Sequence, residues 1–201
     1  MRNLAKRVLA ATAFVALTVS AFAIPPVPRK SPEFTITDPS GKQILLSSYR
    51  GKIVVMPFMF TTCPHCQHEA QMLTKLQREF AARGVVMLGT VFNEPSAALT
   101  AQFVKDYNIG FPVGYATRDT VTSYLGLSVM DRWVVPQVAV IDRKGNVVAQ
   151  SEATGTPDLQ DENYMRNFIE KLLKEGGAPT SATPAAKGKT VAKSNTSPKK
   201  D

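Results

Sequence analysis

The sequence has 201 residues, 44% of them hydrophobic, with 24 Lys and Arg against 16 Asp and Glu and a formal net charge of +8. A chain of that size buries one good core, so a single domain is expected. The charge sits at the two ends: Arg2, Lys6 and Arg7 at the start, and Lys187, Lys189, Lys193, Lys199 and Lys200, offset by Asp201, at the finish. Residues 24–177 keep about +1 and no basic stripe with interleaved aromatics, which argues against nucleic acid as a partner.

Residues 1–23 read as a signal peptide. The basic start leads into an uncharged run from Val8 to Phe22, about 15 residues against the roughly 20 that comfortably span a bilayer. It closes on Ala21-Phe22-Ala23, a small-x-small cleavage pattern, and Ile24-Pro25-Pro26-Val27-Pro28 follows. An uncleaved membrane anchor is the competing reading. With no cysteine near the cleavage point, a lipoprotein anchor is excluded. The expected location is extracytoplasmic, periplasmic or secreted, where a cysteine pair is free to sit oxidised.

Residues 24–32 are expected to form an extended Pro-rich lead, 33–177 the domain, and 178–201 a disordered basic tail in which Pro, Thr, Ala, Ser and Lys replace nearly all large apolar residues. Within the domain, Phe34–Thr37 alternates and ends at the turn signature Asp38-Pro39-Ser40-Gly41, ahead of Gln43–Leu46. Residues 52–60 are near-continuously apolar, as suits a strand buried on both faces. A helix is predicted over 64–83, with Ala70, Leu73, Leu76 and Phe80 at spacings of three and four and Gly84 as its stop. Val85–Phe92 is a second buried strand, and Ser96–Tyr107 a second helix capped at Asn93 or Ser96. Phe111–Tyr115 and Arg118–Tyr124 give a strand and a short helix. Val138–Asp142 and Asn146–Gln150 make a hairpin around Arg143-Lys144-Gly145, and a last amphipathic helix covers 158–175. This order implies an α/β fold, a mixed sheet covered by helices on both faces.

The only two cysteines stand in Thr61-Thr62-Cys63-Pro64-His65-Cys66, where the buried strand ends and the helix begins. Residues three apart on a first helical turn share a face, within the separation of about 5–6 Å between Cα atoms that a disulfide needs. Pro64 fits the first helical position, where its missing N–H costs nothing. Cys63 then lies at the helix N-terminus, where free N–H groups and the helix dipole favour a thiolate and make it the attacking sulfur. Cys66, one turn in, is the resolving partner. Two other roles are weaker. A structural bridge closing so small a loop stabilises little by the loop-entropy argument. A zinc site needs four ligands, and His65 and His68 lie inside the same turn.

The ordered set Phe34-Thr-Ile-Thr-Asp-Pro-Ser-Gly-Lys42, Ser48-Tyr-Arg-Gly-Lys52, Cys63-Pro-His-Cys66, Phe111-Pro-Val113, Val135-Pro136 and Val140-Ile-Asp-Arg-Lys-Gly145 resembles the extracytoplasmic thioredoxin-like family of TlpA and ResA type, within the redoxin group that includes peroxiredoxins. The resemblance implies a thioredoxin-like fold. It also implies a cis Pro136 beside the cysteines that presents the Val135 backbone to substrate, and a role for Glu69, which matches a glutamate some members use. A carboxylate one turn below Cys66 can shuttle its proton; Glu69 reads equally well as a solvated side chain in the field of the helix N-terminus. Many relatives carry Trp where Thr62 stands, so Trp133 reads either as core or as the aromatic that covers the site. Pro64-His65 is similar to the oxidising DsbA enzymes, and His65 can stabilise the Cys63 thiolate and tune the potential; His68 reads as helix surface.

These readings converge on a thiol–disulfide oxidoreductase that needs no cofactor and no metal and works as a monomer. Its partners are protein thiols and disulfides and an unidentified redox partner, membrane-bound or free. Two alternatives stand beside it. A peroxiredoxin-like peroxidase is disfavoured because Phe60, not threonine, stands three residues before Cys63. A Sco-type copper chaperone is suggested by Phe58-Met59-Phe60-Thr61-Thr62-Cys63-Pro64. That family separates its cysteines by three residues and uses a distant histidine, and here no histidine follows His68.

Overall fold

The computed structural model describes residues 24–176 except Val129 and Asp131; the expected signal segment and basic tail lie outside the described residues. Strand β4 (Ile53–Met59) is buried at every position. Its side chains divide between two cores. Ile53, Val55 and Met59 face one and Val54, Met56 and Phe58 the other, as a strand covered on both faces requires.

Around it run β1 (Arg29–Lys30), β2 (Thr35–Thr37), β3 (Gln43–Leu45), β5 (Val85–Met87), β6 (Gly89–Val91), β7 (Val113–Tyr115), β8 (Gln137–Ile141) and β9 (Asn146–Gln150). The sheet order is β1-β9-β8-β4-β6-β7-β2-β3, with β5 also on β4. Strands β5 and β6 run parallel to β4, and β7 runs parallel to β6, whereas β8 is antiparallel to β4. Helices α1 (Pro64–Phe80), α2 (Ala97–Asp106) and α4 (Glu162–Glu175) feed the first core, and α3 (Arg118–Leu125) the second. The mixed sheet with helices on both faces is therefore as expected.

Local details differ from the sequence reading in instructive ways. The strand expected over Val85–Phe92 is interrupted at Leu88, although β5 and β6 keep one register on β4. The interruption falls opposite Met56-Pro57, and Pro57 has no N–H to give the ladder. The long first helix tightens into a 3-10 turn over Ala81–Arg83 and stops at Gly84, whose φ of 81° is the left-handed value glycine adopts freely. Ser96, not Asn93, caps α2 by accepting from the Leu99 N–H. The last helix starts later than expected: Pro157–Gln160 is a 3-10 turn, and Asp161 caps α4 through the Tyr164 N–H. Residues of the Pro-rich lead join the sheet as the edge strand β1, pairing Arg29 with Val147.

Candidate active site

The cysteine loop is built from the end of β4. After Met59 the chain leaves the sheet, and Cys63 N-caps α1 with extended φ/ψ of −88° and 119°, Pro64 taking the first helical position. Cys63 is half-buried and Cys66 fully buried. The two thiols are not bridged. The Phe60 N–H donates to Cys66 Sγ at 3.4 Å, and Cys63 Sγ lies 3.7 Å from Val135 O.

Burial pushes the Cys66 thiol well above the ordinary cysteine range; the Phe60 N–H opposes this, and Cys63 and Glu69 add to it. Glu69 is only 1% exposed, and its Oε1 has no hydrogen-bond partner. Burial raises its carboxyl to about 8. The solvated reading of Glu69 is therefore corrected: it stands three residues after Cys66 and four before Leu73, on the apolar face of α1. That spacing is the sequence signal that places it inside.

The Val135-Pro136 peptide is cis, and Pro136 is buried beside the half-buried Val135. Pro64 and His65 are exposed, and the His65 ring makes no hydrogen bond among the described residues. His68 is exposed on α1. Trp133 is half-buried at this end of the sheet, stacked on Phe92 with centroids 5.7 Å apart and 6.5 Å from Phe60. The Arg118 guanidinium lies 5.0 Å above the Trp133 ring and 5.6 Å from that of Phe60. Among the described residues no three His, Cys, Asp or Glu side chains group as metal ligands.

Three positioning side chains escaped the sequence reading. Asn93 accepts from the Thr61 N–H at 3.0 Å and donates to Thr61 Oγ1 at 3.2 Å, and Gln67 Nε2 donates to Thr61 O at 2.9 Å. Together they clamp the turn ahead of Cys63. Asn93 carried a signal, but an Asn after a strand suggests a cap as readily as a clamp. Gln137, fully buried, donates from Nε2 to Val134 O at 2.8 Å, Glu152 O at 3.2 Å and Ala153 O at 3.3 Å.

A family model described as the AhpC/TSA family matches residues 27–150. Thiol-disulfide oxidoreductase ResA of Bacillus subtilis strain 168 is 30% identical over 146 residues, which cover 73% of this chain and 75% of that protein. ResA of Bacillus thuringiensis subsp. konkukian is 27% identical over 140 residues, covering 70% and 77%. A crystal structure of a thiol:disulfide interchange protein of the thioredoxin family from Chlorobium tepidum TLS superposes with a TM-score of 0.62 at 25% identity, covering 74% of this chain and 99% of that one. The fold is thioredoxin-like.

Proposed function

We propose that this chain, which belongs to the AhpC/TSA family and is a thiol–disulfide oxidoreductase, is exported and exchanges disulfides with protein substrates through a mixed disulfide on Cys63. One observation carries the reading: a half-exposed cysteine caps α1 beside the Val135 carbonyl, with the second cysteine buried one turn below it.

In the reductive direction the Cys63 thiolate attacks a substrate disulfide. An S–S bond forms to Cys63 and the first substrate sulfur leaves as a thiolate. Cys66 then gives up its proton and attacks Cys63 Sγ, so that the Cys63–Cys66 disulfide forms and the second substrate sulfur leaves. The substrate gains two electrons and the protein loses two; a dithiol partner returns them. In the oxidative direction the same steps run in reverse.

Glu69 takes the Cys66 proton on the way in and returns it on the way out. Its raised carboxyl, near 8, is a stronger base than an ordinary glutamate and is matched to neutral pH. Val135 and Pro136 form the edge on which an extended substrate segment pairs, and Pro64 and His65 tune the potential from the exposed face of the loop. Export rests on the basic start, the uncharged run Val8–Phe22 and the Ala21-Phe22-Ala23 pattern. No helix among the described residues is long and apolar enough to cross a membrane.

Catalytic amounts of the protein are expected to accelerate reduction of insulin by dithiothreitol, and Cys63→Ser to remove the acceleration. A Cys63→Ser protein that still turns over would contradict the assignment.

A further inference from the structure

Gln137 opens β8 one residue after Pro136, and the rest of that strand, Val138–Ile141, is apolar. Its amide nitrogen donates to carbonyls of two separate loops: Val134 on one side, Glu152 and Ala153 on the other. The Val134 N–H closes the same junction by donating to Ala153 O at 3.0 Å. One residue beyond the Val134 carbonyl is Val135, whose own oxygen lies 3.7 Å from Cys63 Sγ.

Gln137 Oε1 is buried and has no partner. An orphaned buried acceptor is costly, and the bonds that Nε2 gives to three carbonyls offset that cost. An apolar side chain here would lack the donor. Trp133 and Val134 lie outside the strands, Val134 at 46% exposure, with the Val134 N–H to Ala153 O bond as a main-chain anchor. The Gln137 amide is thus a side-chain hydrogen-bond tie between this segment and the 152–153 loop, beside the packing of Trp133 on Phe92.

We propose that Gln137 is a positioning residue that fixes the Trp133–Pro136 segment so that the Val135 main chain stands ready to pair with an extended polypeptide beside Cys63. The inference rests on the reading of Val135 as the substrate-pairing backbone. Removing the donor weakens docking of polypeptide disulfides and leaves sulfur chemistry at Cys63 intact, because Gln137 touches neither cysteine.

The experiment uses the full chain with two disulfide substrates: an extended disulfide-bonded peptide and 2-hydroxyethyl disulfide, which has no backbone to pair. Wild-type protein is first compared on the peptide and on the same peptide N-methylated beside its cysteine. Equal KM for the two removes the pairing reading, and the inference falls with it. Where methylation raises KM, Gln137→Met is expected to raise the peptide KM about tenfold while exchange with 2-hydroxyethyl disulfide stays within about twofold. An unchanged peptide KM, or equal losses on both substrates, would overturn the role of Gln137 and leave the Val135 reading standing. Should Gln137→Met not fold, hydrogen exchange in the wild type decides. The side-chain amide protons of Gln137 are expected to exchange as slowly as the β8–β9 ladder, and exchange as fast as those of the exposed Gln43 would overturn the proposal.

Discussion

The main-chain N–H of Phe60 points at Cys66 Sγ across 3.4 Å, tying the residue that leaves β4 to the inner sulfur of the pair. Cys66 is fully buried and its thiol is raised by that burial, whereas Cys63 keeps an open face at the start of α1. The two sulfurs are therefore unequal toward electrophiles. Brief treatment of the reduced protein with iodoacetamide at pH 7 is expected to alkylate Cys63 and spare Cys66, as read by peptide mass spectrometry. Alkylation of Cys66 first would reverse the assigned roles.

Glu69 links the site to stability. Its folded carboxyl titrates near 8 because it is buried, while an unfolded glutamate titrates near about 4.3. Between those values the folded state holds the proton more tightly, so the contribution to stability is complete below the lower value and is lost as pH rises to the upper one. The loss is on the order of 5 kcal/mol across that window. Urea denaturation of the reduced protein is expected to show Glu69→Gln gaining on the wild type from pH 4.5 to pH 8. A pH-independent difference would mean that the carboxylate is solvated.

The same substitution separates the two chemical steps. Attack by Cys63 does not involve Glu69, whereas release by Cys66 requires the inner thiol to lose its proton. In rapid-quench experiments Glu69→Gln is expected to form the mixed disulfide at the wild-type rate and to resolve it about 10²-fold more slowly. Equal slowing of both steps would assign Glu69 a structural role.

Gly114 tests how β7 meets β2. A Cβ there would stand 2.7 Å from Thr37 O and 2.9 Å from the Ile36 side chain. Gly114→Ala is expected to cost about 1–3 kcal/mol in urea denaturation, from overpacking at a backbone that cannot withdraw. An unchanged midpoint would mean that the two strands do not approach so closely.

Much of this architecture is legible in local pattern. The apolar run over 52–60 announces a strand covered on both faces, and the spacing of Ala70, Leu73, Leu76 and Phe80 announces α1. What local pattern hides is what happens across the sheet. Pro57 sits comfortably in its own strand but takes a donor from its neighbour, and the ladder breaks at Leu88 rather than at the proline. Asn93 and Gln137 are hidden for a related reason: each bonds to partners distant in sequence, Thr61 for one and Glu152 and Ala153, besides the nearby Val134, for the other. Glu69 is an intermediate case, since its spacing from Cys66 and Leu73 puts it inside while its charge argues that it belongs outside.

The most direct measurement is to mix reduced Cys66→Ser protein with a disulfide-bonded peptide and weigh the product intact. Without the resolving sulfur, a covalent adduct of one protein and one peptide should accumulate, joined through Cys63 and released by dithiothreitol. No adduct, or one that survives in the Cys63→Ser protein, would contradict exchange through a mixed disulfide on Cys63.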